Sequence, residues 1–104
     1  MEIVIERVCG LDVHKASVTA CARVPAEQGE RTEHVQTFRT AVPHLLALAD
    51  WLEAHGVTHV VMEAIGVYWK PVWAIFEDRF HCMLVNARHI KQMPGRKTDI
   101  TDAQ

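Results

Sequence analysis

Four acidic residues are the candidates for chemistry in this sequence. Asp12 stands inside an apolar segment, and Glu63 directly follows another. Asp99 and Asp102 have the i, i+3 spacing that places both side chains on one side of a helical turn. Clustered carboxylates repel one another unless a divalent cation neutralises them, and such oxygen ligands suit Mg²⁺ or Mn²⁺. The four acids therefore predict a metal site of the kind that assists displacement at a phosphodiester.

Each acid also has an ordinary structural explanation. Asp12 and Glu63 fit the ends of strands, and the pair Asp99 and Asp102 fits a helix N-terminus favoured by the macrodipole. An isolated carboxylate in the core strand around Asp12 would cost several kcal/mol to desolvate, so we expect a partner or a cation there. The combination of these acids with the order of the elements favours the metal site.

Hydrophobic patterns predict five strands and two helices that would position these acids. The predicted strands cover residues 4–13, 16–24, 34–39, 57–62 and 81–86, and the first two form a hairpin across His14-Lys15. The first helix is capped by Thr40 and ended by Gly56, with a buried stripe at Leu45, Leu48, Ala49 and Leu52. The second helix presents one apolar face made of Trp69, Val72, Trp73, Phe76 and Phe80.

The element order βββαβαβ predicts an α/β fold. An antiparallel hairpin followed by βαβ crossovers gives one mixed five-stranded sheet with helices packed on it. The first strand then lies beside the fourth, and Asp12 and Glu63 project from the middle of the sheet. We expect the fourth strand, at residues 57–62, to be apolar on both faces and covered by helices.

Composition excludes several classes of protein. The 104 residues, of which 49% are hydrophobic and 23% charged, predict a single globular domain over residues 1–104. No apolar run approaches the roughly 20 residues of a membrane span, and the acidic start lacks the basic region of a secretory signal, so we expect a cytoplasmic protein with no membrane partner. Three widely spaced cysteines indicate buried thiols rather than disulfides.

A basic cluster interrupts a chain whose net charge is −2. Arg88, Lys91, Arg96 and Lys97 fall within ten residues that contain no acid, and Lys15 lies close to the first acid. The overall charge does not indicate a nucleic-acid-binding protein, and a solvated basic turn would explain this cluster equally well. We retain these five residues as candidates for contact with nucleic-acid phosphates.

Two other patterns favour structure over chemistry. His55 and His59 have the spacing of a helical zinc site, but Gly56 interrupts the helix between them, so we expect no zinc there. Trp69 and Trp73 could stack on bases, yet their helical spacing favours a place in the core.

Three segments together resemble the DEDD-type transposases of the bacterial insertion-sequence one-hundred-ten group. The segments are residues 10–15 (GLDVHK), 62–69 (MEAIGVYW) and 85–88 (VNAR) running on to 95–103 (GRKTDITDA). Their order and spacing match over essentially the whole chain. Ile65 stands where the family often has Thr, a departure that leaves the acids intact.

This resemblance implies a ribonuclease H-like (RuvC-like) fold and DNA strand cleavage and transfer during transposition. It implies that Asp12, Glu63, Asp99 and Asp102 are the four DEDD acids and hold Mg²⁺. Family members continue through a helical segment into a second domain with a nucleophilic Ser, and they use a structured noncoding RNA as guide. We therefore expect this chain to be the N-terminal domain of a homo-oligomeric enzyme, without complete strand exchange of its own.

Three alternatives remain open at this stage. A junction-resolving or RNase H-type nuclease shares the fold and the metal chemistry. A phosphate-binding kinase or ATPase would need a Gly-rich loop after the first acid, and His14-Lys15-Ala16 is not one. A non-catalytic assembly module is the third.

Overall fold

Seven elements follow one another in the predicted order βββαβαβ. The computed structural model describes residues 5–26, 29–64 and 66–86, within which the elements are β1 (Val8–Val13), β2 (Ser17–Pro25), β3 (Arg31–Arg39), α1 (Val42–Ala54), β4 (His59–Ala64), α2 (Trp69–Phe76) and β5 (His81–Asn86). Neither of these helices is long and apolar enough to cross a membrane.

The five strands form one mixed sheet in the order β3-β2-β1-β4-β5. β1 pairs antiparallel with β2, and β2 pairs antiparallel with β3. β1 and β4 run parallel, as do β4 and β5. The first strand therefore lies beside the fourth, as predicted, and the α/β fold class is confirmed.

Both helices pack on the same face of the sheet. Alternate residues of β1, β2 and β4 point into the core, where they meet the apolar stripe of α1 and the buried face of α2. The predicted stripe is confirmed, because Leu45, Leu48, Ala49 and Leu52 are all fully buried. On the opposite face, the part of the chain that the structure describes places no helix.

That open face corrects the expectation of a fourth strand apolar on both sides. Residues of β4 alternate instead, with Val60, Met62 and Ala64 buried and the intervening residues only half-buried. The strand also occupies His59–Ala64 rather than residues 57–62. It starts later because the carbonyl oxygen of Arg7 accepts the backbone N–H groups of Thr58 and His59 at the entry to the sheet.

The bounds of the first and third strands also differ from the prediction. β1 begins at Val8 rather than at residue 4, and residues 5–7 precede it without strand structure. β3 begins at Arg31 rather than residue 34, because its ladder with β2 extends through Pro25 opposite Arg31. Cross-strand pairing holds this charged start, where the Arg23 guanidinium donates to Glu33 at 3.0 Å. The local hydrophobic pattern of the sequence does not predict such cross-strand pairing.

The predicted N-cap of α1 is wrong, whereas its predicted end is confirmed. Ala41 occupies the cap position and makes no side-chain cap hydrogen bond. The Thr40 hydroxyl donates instead to the Lys15 carbonyl oxygen at 3.0 Å, which ties the start of α1 to the turn between β1 and β2. The helix ends before Gly56, whose φ of 73° is the left-handed conformation that favours glycine.

The three cysteines are free, as the sequence predicts. Cys9 is buried, while Cys21 and Cys82 are half-buried. Burial raises the pKa of the Cys9 thiol to about 12, so this side chain packs as a neutral apolar group.

We expect the core to depend on Leu48 and not on its neighbour Leu46. Leu48 is fully buried, whereas Leu46 is 45% exposed on the same helix. Leu48→Ala should lower the free energy of unfolding by about 2–5 kcal/mol because it leaves a cavity, and Leu46→Ala should lower it by about 0.5 kcal/mol or less. Urea denaturation of both variants measures this difference. Equal losses would contradict the assignment of the core face.

Candidate metal centre

Asp12 and Glu63 lie directly opposite each other on the two central parallel strands. They are register partners in the pairing of β1 with β4, and each stands one residue before the end of its strand. Their sequence neighbours Leu11 and Met62 are buried beneath the helices, so both acids project from the open face. Neighbouring strands are about 4.8 Å apart, which brings the two carboxylates within reach of one cation.

The two carboxylates differ in exposure. The Asp12 side chain is 61% exposed, and Glu63 is half-buried. Asp12 is therefore not desolvated, contrary to the expectation from the sequence, because the open face leaves its carboxylate in contact with water. Its position opposite Glu63, rather than its burial, makes it a candidate ligand.

His14 contacts Asp12, a contact that was not predicted from the sequence. His14 Nε2 lies 3.1 Å from Asp12 Oδ2, and both side chains are mostly exposed. With its proton on Nε2, the imidazole donates to that carboxylate oxygen and holds its orientation. The available signal was the period of two along a strand, which places residues 12 and 14 on the same side.

Lys15 lies at the same end of the sheet as the acid pair. It occupies the turn between β1 and β2, two residues after the end of the strand that carries Asp12, and its side chain is exposed. An exposed ammonium at this edge suits contact with an anion. The remaining predicted site residues lie outside the described residues: Arg88, Lys91, Arg96, Lys97, Asp99 and Asp102.

The tryptophans of α2 support the core interpretation. Trp69 and Trp73 are half-buried and pack against the hydrophobic core. Their rings meet edge to face with centroids 6.0 Å apart, an arrangement that aromatic pairs favour in protein interiors. Tyr68, directly before α2, is 43% exposed.

The chemistry of the acid pair fits a hard divalent cation. Carboxylate oxygens are the ligands that Mg²⁺ and Mn²⁺ prefer, and these ions retain several waters when few protein ligands are present. Among the described residues, neither acid forms an ion pair with Lys or Arg, so no Lys or Arg of this part of the chain competes there with a metal ion. Two acids alone do not complete a site, and the described part of the chain groups no three potential metal ligands.

The rings of His55 and His59 have different neighbours. The His55 ring packs against His34 and Trp51, with centroid distances of 4.3 and 4.9 Å. The His59 ring stacks instead on His81. Burial, and then the neighbouring His81, lower the pKa of His59 below its usual value.

Comparison with known sequences identifies a family. The model of the DEDD transposases of the insertion-sequence one-hundred-ten group (IS110), described as a transposase, matches residues 9–104. No curated protein matches this sequence.

Solved structures share the fold at low sequence identity. RuvC of Thermus thermophilus in complex with a Holliday junction substrate superimposes with a TM-score of 0.55 and 14% identity, covering 83% of this chain and 69% of that chain. A second Thermus thermophilus RuvC structure gives 0.53 and 15%, covering 83% and 67%. The fowlpox virus Holliday junction resolvase gives 0.55 and 11%, covering 94% and 85%. These similarities establish the ribonuclease H-like fold.

We expect Mn²⁺ to stabilise the chain through Asp12 and Glu63. Mn²⁺ at about 100 times its Kd should raise the free energy of unfolding by roughly 2.7 kcal/mol, because it binds the folded state alone. Asp12→Asn and Glu63→Gln should each remove most of this gain, whereas Asp78→Asn, in an exposed turn after α2, should retain it. Thermal melts with and without Mn²⁺ measure the gain. A gain that survives Asp12→Asn and Glu63→Gln would contradict the site.

Proposed function

Because this chain belongs to the DEDD transposases of the IS110 group, we propose that its Asp12–Glu63 pair is part of the centre that cleaves and transfers DNA strands. The observation that carries the proposal is the registered placement of these two acids on adjacent parallel strands. The family match spans both acids, and the ribonuclease H-like fold brings them to one end of the open face.

In this proposal Asp12, Glu63, Asp99 and Asp102 together hold Mg²⁺ or Mn²⁺. The bound ion would polarise the scissile phosphate and stabilise charge as the phosphodiester bond breaks. Asp12 and Glu63 supply ligand oxygens from rigid central strands, which limits their movement relative to each other. The two acids from the C-terminal part of the sequence would complete the ligand set.

His14 and Lys15 have distinct proposed roles beside this centre. The hydrogen bond from His14 to Asp12 Oδ2 fixes the carboxylate and leaves Oδ1 for a cation. Lys15, exposed in the next position, would attract a DNA phosphate towards the same end of the sheet. Thr40 supports this geometry, because its hydroxyl binds the Lys15 carbonyl oxygen.

The proposed partners follow from the family and from charge. DNA is the substrate, and Arg88, Lys91, Arg96 and Lys97 would contact its phosphates together with Lys15. We further propose that the chain acts in the cytoplasm within a homo-oligomer, with a structured RNA as guide and with a nucleophilic Ser supplied by a second domain. The chain would then form the N-terminal, RuvC-like domain of that enzyme.

A junction-resolving nuclease is the second candidate function. The observation that favours it is the likeness in fold to RuvC and to the fowlpox virus resolvase. Fold alone does not choose between the two, because one fold can support different reactions. Substrate preference separates them.

We expect residual metal-dependent DNA nicking by this chain, with water as the nucleophile in place of the Ser of the second domain, and we expect it to require Asp12. With Mn²⁺ present, Asp12→Asn should lower the rate of nicking of supercoiled plasmid about 100-fold or more, equivalent to about 2.7 kcal/mol of barrier, whereas Asp78→Asn should leave it unchanged. Gel assays over time measure both rates. Nicking that persists undiminished in Asp12→Asn would contradict the proposal. A strong preference for a four-way junction or an RNA–DNA hybrid over plasmid would favour the alternative nucleases.

The support given by His14 should be visible in metal affinity. His14→Ala should weaken Mn²⁺ binding about tenfold, the lower end of the effect typical for groups that orient a metal ligand. His44→Ala, an exposed histidine in the first turn of α1, is the matched control and should leave affinity unchanged. Calorimetric titration measures both. Equal Mn²⁺ affinity in His14→Ala and the wild type would show that His14 does not orient a metal ligand.

A further inference from the structure

Two histidines lie side by side at the end of the sheet remote from the acid pair. His59 begins β4 and His81 begins β5, and the two are register partners in the parallel pairing. Their rings stack with centroids 4.8 Å apart and an interplanar angle of 27°. Glu63 lies four positions after His59 along β4, a distance of about 13 Å at roughly 3.3 Å per residue. The histidine pair is therefore distinct from the candidate DEDD centre.

The hydrogen bonds of Thr58 fix which nitrogen of His59 is free. The Thr58 hydroxyl donates to the Arg7 carbonyl oxygen at 3.2 Å, and Thr58 Oγ1 also lies 2.7 Å from His59 Nδ1. A hydroxyl has one hydrogen, so Thr58 accepts at this second contact and His59 donates from Nδ1. In the neutral ring Nε2 then carries a lone pair. Metal-binding histidines typically have this arrangement, with the other ring nitrogen bound to an oxygen.

The backbone around the pair is already fixed. The Arg7 carbonyl oxygen accepts the N–H groups of Thr58 and His59, and the His81 N–H donates to the Thr58 carbonyl oxygen at 2.9 Å. Both histidines therefore stand on hydrogen-bonded backbone at the entry to their strands. Such a site requires little ordering when a ligand binds.

We propose that His59 and His81 form a second metal site, which takes a borderline divalent transition metal such as Zn²⁺, Ni²⁺ or Cu²⁺ through two imidazole nitrogens. Imidazole suits these ions, whereas Mg²⁺ prefers carboxylate and water oxygens. The described residues add no third His, Cys, Asp or Glu to the pair, so water would fill the other positions. A bound ion would join β4 to β5 at the edge of the sheet.

This second site has a consequence for metal specificity. Mg²⁺ and Mn²⁺ would occupy the acid pair, and Ni²⁺ or Cu²⁺ would first occupy the histidine pair, because affinity for nitrogen ligands rises from Mn²⁺ to Cu²⁺. The two sites should therefore respond to different variants.

Calorimetric titration of the 104-residue chain with Ni²⁺ tests the proposal. His59→Asn and His81→Asn should each weaken Ni²⁺ binding at least about tenfold, equivalent to about 1.4 kcal/mol. His44→Asn, an exposed histidine outside the pair, and Asp12→Asn should both bind Ni²⁺ as the wild type does. Unchanged affinity in His81→Asn, or loss of binding in Asp12→Asn, would overturn the proposal.

Variants of Thr58 test the orientation of His59 without removing either imidazole. Thr58→Val should weaken Ni²⁺ binding about tenfold because Nδ1 loses its acceptor, and Thr58→Ser should restore it. Thermal melts in the absence of metal show whether each variant is folded, and only folded variants enter the comparison. Wild-type Ni²⁺ affinity in a folded Thr58→Val would refute the proposed orientation of His59.

Discussion

β1 and β4 run parallel at the centre of the sheet, in a register that sets Asp12 opposite Glu63. This pairing depends on chain segments about 50 residues apart in sequence, and α1 crosses between them. The core supports the register from one side, because Leu11 and Met62 are register partners buried beneath the helices. If β4 slipped by one residue relative to β1, Met62 would turn to the open face and Glu63 would be buried. The hydrophobic pattern that fixes the register therefore also fixes the position of the acids.

The two faces of the sheet have different roles: one packs the core, and the other carries the acids. Both helices cover one face, where the buried residues are apolar, and the acids stand on the other face. The carboxylates therefore keep contact with water and avoid the free-energy cost of desolvation. Water, His14 or a cation relieves the repulsion between them. A hydrogen bond fixes the turn after β1, because the hydroxyl of Thr40, just before α1, donates to the Lys15 carbonyl oxygen. The same turn carries His14 and Lys15 to the end of the sheet where the acids lie.

Element order and topology could be predicted from the sequence because they follow from periodicity. The stripe Leu45, Leu48, Ala49 and Leu52 and the alternation in β2 are local signals that the fold preserves. Strand bounds and the cap of α1 could not be predicted, because they depend on distant partners: Arg31 joins β3 through Pro25, and Thr40 turns to Lys15. The placement of Asp12 and Glu63 followed from the topology. Two contacts were missed: His14 with Asp12 needs side-chain geometry, and His59 with His81 needs the register of β4 and β5.

A metal ion bound between the registered strands β1 and β4 is the feature on which the proposed chemistry depends. Anomalous diffraction from crystals of the chain grown with Mn²⁺ measures this directly, because the ion is located independently of the protein atoms. We expect a Mn²⁺ peak at coordination distance, about 2.1 Å, from carboxylate oxygens of both Asp12 and Glu63. A peak bound to only one of these residues, or Mn²⁺ bound elsewhere with both carboxylates free of it, would show that the two acids do not share a metal ion.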